Sequence, residues 1–200
     1  MRKLAALLVA GAMTLGMTMT AFANPSISTV ATEQVKVSAE TAALIPAGKE
    51  VVVKEAAPEN YESKEVAEVV TKLNDDATKI TMEEILTILK VDTSAGVTTT
   101  KGTVIEDLTA YAPITKFSDL AVTDGTDVEY DVNGEVISVE VTLTLEALKE
   151  AVAEDLLVMQ ADPKTSEVSL IEIDEEGFDP ATGEATIEFP GFGPFTILEK

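Results

Sequence analysis

The fold is decided by residues 156–198, which read LLVMQADPKTSEVSLIEIDEEGFDPATGEATIEFPGFGPFTIL. Four short apolar runs, at 156–160, 168–173, 185–189 and 195–198, are separated by turns rich in Pro, Gly and Asp. Several short strands at this spacing are typical of an antiparallel β-sandwich. The stretch therefore predicts a sandwich-like region at the end of the chain.

A second β signal surrounds Asn133 and Gly134. Apolar residues alternate on both sides of this pair, at Val128, Tyr130, Val132, Ile137, Val139, Val141 and Leu143. Asn and Gly tolerate the positive φ angles that a type I′ turn requires. The pattern predicts a β-hairpin whose turn is Asn133-Gly134.

The segments around this hairpin are less regular. Thr144 can cap a short helix that runs to about Asp155. Residues 91–102 are rich in Thr, Ser and Gly and predict a linker or irregular loop. Residues 110–122 fit a strand and a loop equally well.

Two helices are predicted in the N-terminal half, after two strands within residues 24–57. The first helix carries apolar residues at helical spacing, namely Val66, Val69, Val70 and Leu73. The second begins at a capping box formed by Thr81 and Glu84. Together these patterns predict a helix pair that follows two N-terminal strands.

The chain as a whole is predicted to be an α+β protein. Residues 1–23 form a signal peptide, residues 24–92 an N-terminal α+β region with strands and the helix pair, and residues 103–200 an antiparallel β-sandwich-like domain with one short helix. Periodicity leaves open whether the N-terminal strands join the C-terminal sheet.

The N-terminus predicts export. Arg2 and Lys3 precede an apolar run, and Ala21-Phe22-Ala23 is a small-x-small cleavage pattern. The apolar run is too short and too diluted by Gly and Thr for a spanning helix, which favours cleavage before Asn24. No later stretch predicts a membrane span, so we expect a protein that is secreted or loosely associated with the cell surface.

Charge and composition restrict the partners. The 200 residues carry a formal charge of −22, and removal of residues 1–23 takes away two basic and no acidic residues, leaving −24. Such a charge repels nucleic acids and anionic lipids, and it suits a cationic partner or a Ca²⁺-rich exterior. With no cysteine, stability must come from the hydrophobic core.

The residue types that are missing exclude most catalytic chemistry. The chain has no His and no Cys, which excludes Ser-His-Asp hydrolysis, cysteine nucleophiles and the usual zinc sites. Neither S-x-x-K nor G-x-S-x-G occurs. The Gly191-Phe192-Gly193 motif is interpreted as a turn between strands. No catalytic, cofactor-binding or metal-binding residue is therefore assigned, and no cofactor is expected.

Two acidic clusters and one aromatic cluster allow more than one interpretation. The acidic clusters are Asp174, Glu175, Glu176 and Asp179, and Asp124, Asp127, Glu129 and Asp131. Each could be a solvated loop or a Ca²⁺ site, and the solvated loop is favoured because charged runs usually face water. The aromatic cluster is interpreted as core, with a ligand-stacking platform as the alternative; it comprises Phe178, Phe189, Phe192 and Phe195.

The C-terminal sequence resembles a module of uncharacterised exported proteins from anaerobic Gram-positive bacteria. The resemblance lies in residues 156–165, in Asp179-Pro180-Ala181-Thr182-Gly183-Glu184 and in the closing residues 189–195. It implies a sandwich-like module that follows a helix-containing region, and an exported protein. It implies no activity and no catalytic residue.

Two functions follow as hypotheses. The first is a secreted or cell-surface, non-catalytic binding or structural module of the cell envelope, not an enzyme, with an unknown protein or glycan as its partner. The alternative is a carboxylate-dependent extracellular glycan hydrolase, suggested only by the surplus of Asp and Glu. The absence of Trp argues against the alternative, since sugar-binding clefts commonly use aromatic stacking.

Overall fold

The computed structural model describes residues 35–76, 80–132 and 137–200. Within these ranges the chain forms three α-helices and thirteen strands in antiparallel sheets. The predicted α+β class with a sheet-rich C-terminal region is confirmed. The predicted signal peptide lies outside the described residues.

The elements of the described ranges are mostly short. The strands are β1 (Lys36–Val37), β2 (Glu50–Glu55), β3 (Val97–Thr98), β4 (Val104–Ile105), β5 (Ala112–Pro113), β6 (Ser118–Thr123), β7 (Val128–Glu129), β8 (Val139–Thr144), β9 (Leu156–Ala161), β10 (Val168–Glu172), β11 (Phe178–Asp179), β12 (Glu184–Phe189) and β13 (Gly193–Glu199). The helices are α1 (Ala39–Leu44), α2 (Lys64–Asp76) and α3 (Met82–Ile88). Five 3-10 turns lie at Pro58–Asn60, Leu108–Ala110, Glu146–Leu148, Ala153–Asp155 and Glu175–Gly177.

Two sheets contain most of the strands. The small sheet has the order β1-β8-β12-β11. The large sheet has the order β10-β9-β13-β6-β2, with β5 beside β13 and β7 beside β6. Strands β3 and β4 form a separate hairpin.

The large sheet is the middle of three layers, because apolar side chains cover both of its faces. In β9, Leu156 and Val158 pack between the two sheets, whereas Leu157 and Met159 pack against the helices. All six residues of β9 are buried. A strand that is buried on both faces reads as a continuous apolar run, which explains the LLVM sequence at its start.

The small sheet is buried on one face only. Residues of β8 and β12 alternate strictly, so that Val141 and Ile187 are buried while Glu140 and Glu188 are exposed. This period of two places every second side chain in the core between the sheets. The outer face of the small sheet is therefore free to carry charge.

The helix pair closes the third layer, as its sequence pattern predicted. The predicted apolar residues of α2 are all buried against the large sheet, with exposed fractions of at most 1%. Ser63 caps α2 by accepting the N–H of Val66 (3.1 Å), and Thr81 caps α3 by accepting the N–H of Glu84 (3.2 Å). The amide of Asn74 bonds to the backbone N–H and carbonyl of Phe117, which fixes the helix layer to the sheet.

The N-terminal strands join the sheets of the C-terminal region. β1 pairs with β8 in the small sheet, and β2 pairs with β6 over all six of its residues in the large sheet. The pairing answers the question that periodicity left open. Residues on both sides of the helix pair share one sheet and one core.

The helix predicted after Thr144 takes the form of two 3-10 turns, separated by extended and left-handed residues. The N–H of Leu145 donates to the carbonyl of Gly183 (2.8 Å), and the N–H of Glu150 donates to the carbonyl of Pro180 (3.0 Å). In a helix capped by Thr144, the N–H of Leu145 would have no intrahelical partner, but the N–H of Glu150 would donate to the carbonyl of Glu146. The neighbouring loop takes this second donor instead. Glu150 also has a φ of 66°, which interrupts a right-handed helix.

The hairpin predicted around Asn133 is wrong as a pairing of its two flanking strands. Residues 133–136 lie outside the described residues, but β7 pairs with β6 in the large sheet and β8 belongs to the small sheet. Both edges of β8 are occupied, by β1 and by β12. The chain therefore passes from the large sheet to the small sheet between β7 and β8.

Three further segments differ from the sequence-based expectation or resolve it. Residues 91–102, expected to be irregular, contain β3. Residues 110–122, which fitted a strand and a loop equally well, contain both: strands β5 and β6 are joined by a loop of four residues. Helix α1, capped by Ser38, had no sequence prediction. Among the described helices, none is long and apolar enough to span a membrane.

Candidate binding cleft

A cleft of about 830 Å³ lies where the small sheet, β10 and the turn at 174–177 meet. Seven of its sixteen lining residues are acidic, compared with 36 acidic residues among 200 in the whole chain, and no lining residue is basic. The acidic residues are Glu140, Glu154, Glu172, Asp174, Glu175, Glu176 and Glu188. The cleft therefore concentrates negative charge beyond the chain average.

The strand register places two of these carboxylates beside each other. Glu140 in β8 lies directly opposite Glu188 in β12. Like charges opposite each other on one face of a sheet destabilise it. A cation bound between them would remove this repulsion.

The cleft also has an apolar part, which includes Ile105, Leu156 and Tyr111. Burial raises the pKa of the Tyr111 hydroxyl, and the nearby carboxylates of Asp155 and Glu172 raise it further. Of these two carboxylates, Glu172 lines the cleft itself. An acidic rim over an apolar surface suits a ligand that has both a cationic head and an apolar stem, such as Lys or Arg.

Little of this charge is neutralised within the part of the chain that the structure describes. Lys101 pairs with Asp174. Hydroxyl groups donate to two of the other acids, from Thr99 to Glu172 (3.2 Å) and from Ser138 to Glu188 (3.2 Å). The remaining lining acids have no ion pair with a described residue.

The two acidic clusters found in the sequence differ in the structure. Asp174, Glu175 and Glu176 line the cleft. Asp179 instead accepts the N–H of Ala181 (2.9 Å) and the hydroxyl of Thr182 (2.9 Å), and these bonds hold its pKa below the ordinary value.

Three of the four carboxylates in the second cluster have partners within the chain. Asp124 accepts the N–H groups of Thr126 and Asp127, and those bonds lower its pKa. Glu129 pairs with Lys49 (2.5 Å) and Asp131 with Lys164 (2.8 Å). In the described ranges, no group of three acidic side chains is arranged to hold a metal ion.

The aromatic cluster belongs to the core, as predicted. Phe189, Phe192 and Phe195 are buried between the two sheets, and Phe178 packs against them. The rings of Phe189 and Phe195 meet edge to face at 5.0 Å. The three buried rings do not form a ligand platform because their surface is covered, whereas Phe178 is half-buried at the edge of the same core.

A buried carboxylate was missed by sequence reasoning. Asp119 in β6 is completely buried and accepts three hydrogen bonds, from the N–H of Ala57 (3.0 Å) and from the hydroxyls of Tyr61 (2.5 Å) and Tyr130 (2.8 Å). The available signal was an acidic residue inside the apolar run 117–122. Burial raises the pKa of Asp119, and the hydrogen bonds from the two tyrosines oppose this.

Asp119 is a structural group rather than a catalytic one. The rings of Tyr61 and Tyr130 meet edge to face at 5.8 Å. Burial and the nearby carboxylate raise the pKa of both hydroxyls, so that both stay protonated and donate. Since three donors enclose the carboxylate and none of its surface is exposed, a substrate has no access to it.

Comparisons with family models, with curated proteins and with solved structures found no match for this chain. The resemblance seen in the sequence therefore remains a prediction.

Proposed function

We propose that this chain is an exported, non-catalytic module that binds a basic segment of another protein of the cell envelope or exterior. The observation that carries the proposal is the acidic cleft beside the 174–177 turn, with seven carboxylates and one paired lysine. A segment rich in Lys or Arg supplies the opposite charge, and its alkyl stems match the apolar part of the cleft.

The lack of catalytic groups supports a binding role. His and Cys are absent from the chain. A glycosidase needs one carboxyl group that is kept protonated beside its substrate, and Asp119, whose pKa is raised, is enclosed by two tyrosines. Release of reducing sugar from a panel of envelope glycans, at any pH between 4 and 7, would contradict the non-catalytic part of the proposal.

The binding part is tested by isothermal titration with a lysine-rich peptide. The variant carries Glu154→Gln, Glu175→Gln and Glu176→Gln, three exposed acids of the cleft that have no ion pair with a described residue. At about 0.5 kcal/mol for each exposed ion pair, we expect affinity to fall about tenfold. Binding by the unchanged protein should also weaken with salt, because exposed charges are screened.

The matched control carries Asp75→Asn, Glu83→Gln and Glu167→Gln, which change the net charge by the same amount outside the cleft. We expect its affinity to stay within about twofold of the unchanged protein. An equal loss in both triple variants would mean that net charge, not the cleft, attracts the peptide. Absence of binding by the unchanged protein at low salt would refute the proposal.

A further inference from the structure

Strand β2 forms an open edge of the large sheet. It pairs with β6 over Glu50–Glu55, and no described residue pairs with its other side. Six residues give an edge of about 20 Å with backbone donors and acceptors available for pairing. Such an edge is a template for another strand.

The other strands at sheet ends offer less. β1 and β11 are two residues long. The edge of β10 is partly covered, because the N–H of Thr100 donates to the carbonyl of Leu170 (2.8 Å). Within β2, Val51 and Val52 remain partly exposed. β2 is thus the longest uncovered edge that the described residues present.

The charges along this edge are antisymmetric. Residues 49–55 read KEVVVKE, with Val52 at the centre. When two copies pair antiparallel about Val52, Glu50 lies opposite Lys54 of the second copy, and Lys49 lies opposite Glu55. Opposite charges in facing positions stabilise an antiparallel pair, and the two-fold axis repeats each of them.

Other registers lose these pairs or bring like charges together. The smallest shift that keeps the antiparallel hydrogen-bonding pattern is two residues, and it places Val52 of the second copy opposite Glu50 in one direction and opposite Lys54 in the other. A shift by four residues places Glu50 opposite Glu50, or Lys54 opposite Lys54. Parallel in-register pairing places each charge opposite itself. Because facing opposite charges stabilise a pair of strands and facing like charges destabilise it, the sequence favours the register centred on Val52.

We propose that two copies of this protein associate through β2 in this antiparallel register, which joins their large sheets into one continuous sheet. Glu50 and Lys54 have no ion pair with another described residue, and the charge of Lys54 acts on Asp119, its partner in β6. Lys49 already pairs with Glu129 of its own chain (2.5 Å), so the inner pair Glu50 and Lys54 is the more informative one to change.

Net charge opposes this association and gives it a characteristic salt dependence. Each mature copy carries a formal charge of −24 if residues 1–23 are removed. The screening length falls from about 30 Å at 0.01 M salt to about 8 Å at 0.15 M, which weakens the overall repulsion more than contacts between neighbouring strands. The dimer should therefore be more populated at the higher salt concentration.

The test is sedimentation velocity. The protein is produced from the full 200-residue reading frame, and the form that the cell secretes is purified. At about 100 µM and 0.15 M salt we expect the unchanged protein to dimerise, with a dissociation constant on the order of 10 µM for so small an interface. Glu50→Lys and Lys54→Glu should each weaken the dimer at least tenfold. Mixing these two variants should restore association, since each Lys then faces a Glu. The control Lys64→Glu makes the same change of charge as Lys54→Glu, but on α2, and should dimerise like the unchanged protein.

A cysteine scan provides a second readout, because the chain has no cysteine of its own. In the proposed register, residue 52 faces its own copy within the distance that a disulfide spans, whereas residue 51 is displaced from its own copy by two positions. Val52→Cys should form a disulfide-linked dimer rapidly, and Val51→Cys slowly. Monomers at every salt concentration, no recovery on mixing, or equal cross-linking at both positions would overturn the proposal.

Discussion

Replacing Tyr61 with Phe removes one of the three donors to the buried Asp119. The change deletes a hydroxyl that donates to the carboxylate at 2.5 Å and keeps the ring that meets Tyr130 edge to face. Because Asp119 is completely buried, water does not replace the lost donor. The substitution thus isolates the energy of one hydrogen bond to a buried charge.

The expected loss follows from the kind of bond. A hydrogen bond to a charged group contributes about 1.5–3 kcal/mol to stability, compared with about 1 kcal/mol for a neutral pair. We therefore expect Tyr61→Phe to lower the free energy of unfolding by about 2 kcal/mol. For a domain of this size, such a change lowers the melting temperature by about 4–8 °C.

Urea unfolding followed by circular dichroism measures this loss, and Tyr111→Phe is the matched control. The Tyr111 ring is also buried, but no hydrogen bond of its hydroxyl is seen within the described ranges. We expect the control to change stability by less than about 0.5 kcal/mol. Equal losses in the two variants would refute the reasoning, because the bond to Asp119 would then contribute nothing beyond the ring substitution.

Two other predictions use the same unfolding assay. Burial raises the pKa of Asp119 in the folded state, so the stability that this shift contributes is present below the unfolded pKa of about 3.9 and is lost as the pH rises through the folded pKa. The Tyr61 hydroxyl donates to the charged carboxylate, so the stability lost in Tyr61→Phe should be larger at pH 7 than at pH 4, where the carboxyl is more protonated. A loss that does not depend on pH would contradict this. Gly183 has a φ of 72°, and a Cβ added to it would lie 2.2 Å from the carbonyl oxygen of Leu145. Gly183→Ala should therefore lower the free energy of unfolding by more than about 2 kcal/mol. Gly48→Ala, with a φ of 86° and open space around the position, should cost only about 1 kcal/mol, and equal costs would mean that the contact with Leu145 is unimportant.

Much of the fold was predictable because local patterns and burial agree. Strands β9, β10, β12 and β13 lie at or within two residues of the apolar runs in the sequence, and α3 starts after the predicted cap at Thr81. These elements were found because one face or both faces of each enter a core, which leaves a period in the sequence.

The failures occur where distant residues decide the backbone. The segment after Thr144 has a helical apolar pattern, but the carbonyl of Pro180 accepts the N–H of Glu150, which a continuous helix would use within itself. The Asn133-Gly134 pair suits a turn, yet β8 already has partners on both edges. Neither competitor lies near in sequence, so periodicity alone could not reveal it.

The candidate site was predictable only in part, for the same reason. Asp174, Glu175 and Glu176 stood out as a run of acids, but Glu140 and Glu188 come from strands almost fifty residues apart. Their proximity depends on the register between β8 and β12. Asp119 was hidden because its three donors come from two other segments of the chain, Ala57 and Tyr61 from one and Tyr130 from the other.

The three layers explain why charge collects on the small sheet. The large sheet is covered on both faces, so its central strands offer almost no exposed positions, as the complete burial of β9 shows. The small sheet exposes every second residue of β8 and β12. A chain with 36 acidic residues must place most of them on such outward positions.

This requirement does not explain why Glu140 lies directly opposite Glu188. In the same ladder Thr142 faces Thr186 without repulsion, and their hydroxyls form a hydrogen bond of 2.9 Å. Two carboxylates in facing positions destabilise a sheet, and a cationic ligand bound in the cleft would offset this repulsion.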